Sequence, residues 1–204
     1  MTNLKFKLKS FITLLASVVL IVSFSTSSSA YVLQGGKLNG GVVNQKYYIG
    51  MTDSDFITFC NQAVADWNYA INNSSSTSNM GFSFTRTTAS STQASIVFWG
   101  EYQPTVDWYG LARYYVRSSS GNYYVANNNN RDYGSCILNT YYVDRTYTFP
   151  TRAHWREIMA HEMGHALGLA HTTNTGTLMY SYFDSSTAIG PTADEVNGIK
   201  YIYS

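Results

Sequence analysis

The chain has 204 residues and is close to electrically neutral, with 13 lysines and arginines against 12 aspartates and glutamates. Only 12% of the residues are charged, which argues against a nucleic-acid partner, because phosphate binding needs a basic surface. The length and the hydrophobic fraction of 45% are sufficient for one domain with its own core.

The first 30 residues have the pattern of a secretory signal peptide. Three lysines lie within the first nine residues, residues 11–24 are largely apolar, and Ala30 ends a small-residue cleavage site. The apolar run is short for a membrane span, so an uncleaved anchor is the weaker interpretation. We predict a signal peptide at residues 1–30, one domain at residues 31–204, an extracellular location, and no membrane anchor after cleavage.

The first half of the predicted domain combines short strands with one long helix. Residues 31–41 contain several glycines and are expected to be irregular. An acidic start at Asp53 and Asp55 suits the positive end of a helix dipole, and that helix is predicted to run to Asn72. Alternating or continuous apolar residues predict strands at residues 42–49, 82–87 and 94–99.

The second half is predicted to contain more strands, followed by two helices. The helices cover residues 152–167 and 193–203, and Thr192 with Glu195 forms a capping box at the start of the second. Many strands with few helices indicate an α+β fold around a twisted mixed sheet. Strands are predicted at residues 110–117, 123–126 and 135–142.

The two cysteines, Cys60 and Cys136, allow two interpretations. A disulfide is permitted in an extracellular protein. However, Cys60 falls on an apolar stripe with helical spacing, so a buried thiol explains it equally well. The sequence leaves both open.

The sharpest motif is at residues 161–171, His-Glu-Met-Gly-His-Ala-Leu-Gly-Leu-Ala-His. His161 and His165 are four apart and share a helix face, which suits two nitrogens that bind one metal ion at about 2.0–2.1 Å. Gly168 permits a left-handed residue that ends the helix and brings back His171. Three protein ligands leave a fourth position open, which is typical of a catalytic zinc.

This spacing resembles the zinc signature of the metzincin metalloendopeptidases. Residues 177–180 also resemble the methionine turn of that family. Thr172 and residues 194–203 make the chain most similar to the matrixins, of a bacterial type. The resemblance implies a metzincin-like α+β catalytic domain: a twisted mixed sheet, an active-site helix, a second long helix and a C-terminal helix. Ser181 stands where other metzincins have a tyrosine ligand, so no such ligand is expected.

The resemblance implies a zinc-dependent endopeptidase in which Glu162 is the general base toward a zinc-activated water. Met179 is expected to form an apolar floor under the histidines without touching the metal. One catalytic zinc is expected, and calcium is possible but not indicated, because residues 101–110 contain no matching His/Asp cluster. Asp194 is either stabilised by the helix dipole or, by resemblance, a buried anchor of the methionine turn, and we prefer the anchor.

Residues 110–114 resemble the matrixin edge strand, which binds substrate as an added strand. The resemblance implies backbone contacts from Leu111 and Ala112. Glu157, four residues before His161, matches a pocket-floor position and could favour a basic or polar side chain. The preferred interpretation is a solvated helix glutamate or an acceptor behind the ligands. The opposite wall is expected at Ser181, Tyr182 and Phe183.

The partners implied are protein or peptide substrates, and a monomer is expected. The alternative function is a secreted zinc-containing binding or adhesion protein without peptidase activity. The presence of Glu162 and the open fourth metal position favour the peptidase.

Overall fold

The computed structural model describes residues 31–125, 127–143, 151–184 and 187–204. The predicted signal peptide at residues 1–30 lies outside the described residues. Within the described ranges, no helix is both long enough and apolar enough to cross a bilayer.

A mixed six-stranded sheet forms the framework. Its strands are β2 (Gln45–Ile49), β3 (Phe84–Arg86), β4 (Ile96–Glu101), β5 (Gly110–Ser118), β6 (Gly121–Val125) and β7 (Tyr133–Asn139). Across the sheet their order is β3-β2-β4-β7-β5-β6. The first four strands in that order run parallel, and β5 and β6 are antiparallel to their neighbours.

Two long helices cover one face of this sheet. Helix α1 (Ser54–Asn73) begins at Asp53, whose side chain accepts a hydrogen bond from the Phe56 amide. Helix α3 (Trp155–Leu167) carries the first part of the histidine motif. A one-turn helix, α2 (Thr140–Val143), follows β7, and α4 (Ala193–Tyr203) ends the chain.

The core lies between the sheet and these helices, and it includes polar links from α1 to α3. The indole nitrogen of Trp67 donates to the carbonyl of Ala160 at 3.0 Å in the buried interface. At the rim, the Arg156 guanidinium forms a two-point ion pair with Asp66, at 2.7 and 2.6 Å. These contacts fix α3 against a rigid neighbour, which positions the histidines it carries.

A separate two-stranded sheet joins the N-terminal segment to the histidine motif. Strand β1 (Val32–Leu33) pairs antiparallel with β8 (Leu169–Ala170), immediately before His171. Residues 31–41 were expected to be irregular. Strand β1 has only two residues, and its partner is more than 130 residues away, so no local pattern indicates the pairing.

The predicted elements are confirmed in kind, while several of their boundaries differ and β1, β8 and α2 were not predicted. The strand predicted at residues 135–142 ends at Asn139, and the next four residues are helical. The Asn139 side chain accepts a hydrogen bond from the Tyr141 amide at 3.2 Å, which favours a turn at this point. The predicted helix 152–167 starts with a 3₁₀ turn, Arg152–His154, before α3. The capping box of Thr192 and Glu195 is confirmed.

Cys60 and Cys136 are both free and buried. Cys60 lies on the buried stripe of α1, and Cys136 lies on the helix-facing side of β7. Burial raises the pKa of both thiols well above the ordinary value, so both stay protonated near neutral pH. The buried-thiol interpretation is therefore the one that the structure supports.

Candidate metal centre

The end of α3 and the turn after it bring three histidines together. His161 and His165 are buried on one face of the helix, one turn apart. Gly168 follows with φ of +112°, a left-handed conformation that glycine adopts without steric cost. The chain then reverses through β8 and presents His171. The predicted role of Gly168 as the helix terminator is confirmed.

The three imidazoles converge through the same ring atom. Each pair of Nε2 atoms among His161, His165 and His171 is 3.1 Å apart. The Nδ1 atoms of His161 and His165 lie 2.7 and 2.8 Å from the carbonyl oxygens of Leu178 and Leu169, so Nδ1 carries the hydrogen. The Nε2 lone pairs of these two rings therefore point at each other and toward Nε2 of His171, an arrangement that is unfavourable unless a cation binds between the rings.

This donor set fits zinc. Two nitrogens at about 2.0–2.1 Å from a tetrahedral ion are separated by roughly 3.3–3.4 Å, close to the spacing observed here. Within the described ranges, these three residues are the one group of His, Cys, Asp or Glu side chains that could hold an ion together. Nitrogen-only ligation by three side chains is typical of a catalytic site rather than a closed structural one.

Burial keeps the three histidines neutral near pH 7. It lowers the pKa of His161 to about 4 and that of His165 well below the ordinary value. The pKa of His171 is lowered in the same direction and for the same reason. Neutral imidazole is the form that binds a cation, so the ligands need no deprotonation near neutral pH.

Glu162 lies beside the histidines and is only 6% exposed. Burial raises the pKa of its carboxyl to about 8. The carboxylate packs against Gly110 of β5, where an added Cβ would lie 2.5 Å from Oε1 of Glu162. A carboxyl group with its pKa near the working pH can both accept and release a proton.

A cavity of about 470 Å³ opens onto Glu162 and the ligands. The loop before β5 forms one wall, and residues 180–183 form the other. Aromatic rings dominate both walls: Tyr109 and Phe183 meet edge to face at 6.1 Å, and Tyr180 and Tyr182 pair at 5.8 Å. His161, Glu162 and His171 lie between the walls.

A family model described as Matrixin matches residues 42–204, which is most of the chain and contains the whole metal centre. The chain belongs to the matrixin family. Matrixins are zinc metalloendopeptidases, and the mixed sheet and helices described above have the α+β architecture of their catalytic domain.

Individual relatives match this matrixin only over short segments. Interstitial collagenase of Bos taurus is 46% identical over 46 residues, which is 22% of this chain and 10% of that protein. A putative matrix metalloproteinase of Trichoplusia ni ascovirus 2c is also 46% identical over 46 residues, covering 22% and 9%. Matrix metalloproteinase-18 of Xenopus laevis is 45% identical over 49 residues, covering 22% and 10%. The matched segments thus span about a tenth of these relatives.

The predicted substrate residues of this matrixin fall into two groups. Ser181, Tyr182 and Phe183 line the cavity as expected for its far wall. Leu111, Ala112 and Glu157 are not among its lining residues.

Leu111 and Ala112 lie on the first half of β5. That half pairs with β7 on one side, while β6 pairs only from Tyr114 onward. Within the described residues, the other side of residues 110–113 has no partner strand. Glu157 is partly buried, and burial raises the pKa of its carboxyl.

Met179 is buried under the histidine helix, with its sulfur against Gly164. Glu195 holds the turn at Met179 in place, because its Oε1 accepts a hydrogen bond from the Met179 amide at 2.9 Å. The anchor predicted at Asp194 is therefore found one residue later. Glu195 is 1% exposed, whereas Asp194 is only partly buried, because the helix turns Glu195 toward the core.

Asn139, which no sequence motif indicated, organises the loop before β5. Its buried amide accepts from the Gln103 amide and donates to the carbonyls of Gln103 and Trp108, at 2.9–3.1 Å. These bonds hold the near wall of the cavity. An asparagine at a strand end is a common turn signal, and nothing in the sequence links it to a loop some 30 residues earlier.

Proposed function

We propose that this matrixin is a secreted, zinc-dependent endopeptidase that hydrolyses peptide bonds in protein or peptide substrates. The observation that carries the proposal is the convergence of three Nε2 atoms beside the buried carboxyl of Glu162, within one cavity. A binding or adhesion protein would not require a buried carboxyl next to an open metal position, because burying it is costly.

His161, His165 and His171 would hold the zinc through Nε2. Zinc in such a site acts as a Lewis acid and brings the pKa of a water toward about 7. We assign Glu162 the role of general base: it takes a proton from the attacking water and returns it to the leaving nitrogen. Its raised pKa favours the first transfer, because a carboxylate with a higher pKa is a stronger base toward the water.

The substrate would bind as an extended strand against the open half of β5. Main-chain hydrogen bonds from this region, including Leu111 and Ala112, would align the peptide with the cavity. The side chains of Ser181, Tyr182 and Phe183 would form the facing wall. Glu157 is retained as a candidate for selecting basic or polar side chains through its partly buried carboxyl.

The test is cleavage of denatured casein by the secreted protein, with and without a chelator and after zinc is restored. We expect chelation to stop cleavage and zinc to restore it. Glu162→Gln should lower the rate at least about 100-fold while one zinc remains bound. Asp55→Asn, on α1 and outside the cavity lining, is the control and should keep the wild-type rate.

Two results would contradict the proposal. Cleavage by zinc-loaded Glu162→Gln at the wild-type rate would remove Glu162 from its role. One bound zinc without cleavage of any denatured protein would favour the binding or adhesion protein instead. The same preparation tests secretion, because a mature chain beginning at Tyr31 is expected by mass spectrometry.

A further inference from the structure

Arg131 is a completely buried arginine, 0% exposed, that contacts the end of the histidine helix. It lies two residues before β7, where it forms an isolated bridge with Leu38. The ion pairs found among the described residues do not include it. Burying a guanidinium without a carboxylate carries a large desolvation cost, so such residues are uncommon in a core.

Three oxygens from separate parts of the chain accept its hydrogen bonds. Nη1 donates to the carbonyl of His165 at 3.0 Å and to Oε1 of Gln34 at 3.4 Å, and Nη2 donates to the carbonyl of Asn127 at 3.1 Å. The guanidinium also lies 4.0 Å from the ring centroid of Tyr114, a cation–π contact. Its Nε has no partner within the described part of the chain.

These contacts meet at one metal-facing residue. The carbonyl of His165 is in the last turn of α3, where a cation is favoured by the helix dipole. Gln34, the other Nη1 partner, lies beside the same histidine, with its Nε2 atom 3.3 Å from Nδ1. Both nitrogens carry hydrogen, so this is a packing contact and not a hydrogen bond. The neighbouring Gly36 leaves room for this arrangement, because a Cβ there would lie 2.5 Å from Nη2 of Arg131.

We propose that Arg131 is a positioning residue for the metal centre, a role that rests on the metal site of the proposed function. Its guanidinium joins the His165 carbonyl to the Gln34 side chain and to the Asn127 carbonyl through hydrogen bonds. These bonds fix the axial position and the rotation of the last turn of α3. They therefore fix the direction of the His165 ring and of the turn that leads to His171. The hydrogen bonds and the Tyr114 ring offset part of the cost of burying the charge, and the result is a metal site that is formed before the metal binds.

The chain offers a matched control in Arg117. That guanidinium also lies over a tyrosine ring, Tyr133 at 4.5 Å, and donates to backbone carbonyls of Ala94 and Asp132. Its Nε is likewise buried without a partner in the described residues. It differs in location, because none of these partners touches the metal ligands. Arg117→Met therefore removes a similar arrangement at a place where the metal centre is not affected.

The experiment measures zinc affinity by chelator competition for the wild type, Arg131→Met and Arg117→Met, each shown to be folded by circular dichroism. We expect Arg131→Met to weaken zinc binding about 10- to 100-fold, the usual range for residues behind metal ligands. The visible spectrum of bound Co²⁺, which reports ligand geometry, should change as well. Arg117→Met should lose thermal stability but keep the wild-type affinity and spectrum.

Wild-type zinc affinity and Co²⁺ spectrum in Arg131→Met would overturn the inference, as would an equal loss of affinity in Arg117→Met. If Arg131→Met does not fold, Arg131→Lys decides the question, because a compact ammonium cannot reproduce the planar guanidinium whose two terminal nitrogens bind the His165 and Asn127 carbonyls. Its zinc affinity should fall, and an unchanged affinity would contradict the role. The readout does not need peptidase activity, so a chain that binds zinc but cleaves nothing would refute only the proposed function.

Discussion

The carbonyls of Leu178 and Leu169 determine which nitrogen of two histidines faces the metal position. Each accepts a hydrogen bond from Nδ1, which leaves Nε2 of His161 and His165 free of hydrogen. Both carbonyls lie outside α3: that of Leu169 is in β8, and that of Leu178 is in the turn before Met179. The helix therefore carries the two histidines, and these two segments set the orientation of their rings. The spacing of the motif therefore predicts which residues bind but not how their rings are held.

Glu195 stabilises the turn that contains Leu178 and Met179, so its removal should lower the free energy of unfolding. Glu195→Ala removes the acceptor of the Met179 amide and of the Thr192 amide and hydroxyl. We expect the free energy of unfolding to fall by about 2–4 kcal/mol, because a charged acceptor is lost and a buried N–H is left unpaired. Urea denaturation measures this. Lys200→Ala, exposed on the same helix, should cost less than about 0.5 kcal/mol; similar losses in both variants would contradict the anchor role.

Gly110 allows β5 to approach the carboxyl of Glu162, so even a methyl group there should disturb catalysis. The Cβ of Gly110→Ala would lie 2.5 Å from Oε1 of Glu162 and 2.7 Å from Cγ2 of Ile158. We expect kcat/KM to fall by about 100-fold through displacement of the carboxyl, with zinc content unchanged. Gly40→Ala, which meets only the flexible Gln45 side chain, is the control. Wild-type kcat/KM in Gly110→Ala would show that Glu162 tolerates the displacement.

At the level of elements, the helix ends were predictable because their signals are local. Asp53 before α1, the Thr192–Glu195 box before α4 and Gly168 after α3 each act within a few residues, and all are found in these positions. The pairing of β1 with β8 depends on a partner more than 130 residues away, and the Asn139 side chain at the end of β7 also bonds to a loop some 30 residues earlier. Hydrophobic periodicity carries no information about such partners, so these features could not be predicted.

In the candidate site, too, some features have a local sequence signal and others depend on distant parts of the chain. Its ligands and Glu162 occupy one 11-residue stretch whose spacing is itself the signal. Arg131, Asn139 and Glu195 support the site from a loop, a strand end and the last helix. Glu195 was misassigned to Asp194 because the two carboxylates are adjacent and only the rotation of α4 separates the buried one from its neighbour. Residues that act from a distance need the tertiary structure to be recognised.

The cap of α1 gives this element a pH dependence that can be measured. The hydrogen bond from the Phe56 amide, assisted by Arg152, lowers the pKa of Asp53 in the folded state. A lowered folded pKa contributes stability above the unfolded value of about 3.9, and that contribution is lost as the pH falls through the folded pKa. Asn also caps helices but does not titrate in this range.

The wild type should therefore exceed Asp53→Asn in free energy of unfolding by about 0.5–1 kcal/mol above pH 5. The difference should shrink as the pH is lowered toward 2, in urea titrations repeated across that range. Asp55→Asn removes the other carboxylate paired with Arg152 but leaves the cap, so its effect should be smaller. A difference between wild type and Asp53→Asn that does not vary with pH would contradict the assignment.

At the scale of the whole molecule, the metal centre lies where several independent parts of the fold meet. Helix α3, the loop with His171, the turn at Met179 and the N-terminal β1 all touch it, and α4 supports it through Glu195. The loop and the turn are joined directly, since the Thr172 amide donates to the Met179 carbonyl at 2.8 Å. An ion between the histidines would therefore link parts of the chain that separate on unfolding.

It follows that the thermal stability of the whole domain should depend on free zinc. An ion that binds only the folded state adds about 1.4 kcal/mol for each tenfold rise in its free concentration above Kd, which raises Tm by roughly 3–5 °C in a domain of this size. Calorimetry in zinc-buffered solutions from chelated to saturating conditions measures this slope. His171→Ala removes the exposed ligand with little loss of core packing, so its Tm should stay nearly constant over the same range. A wild-type Tm that is independent of zinc would mean that the three histidines do not bind the ion in the folded protein, and the metal centre would have to be abandoned.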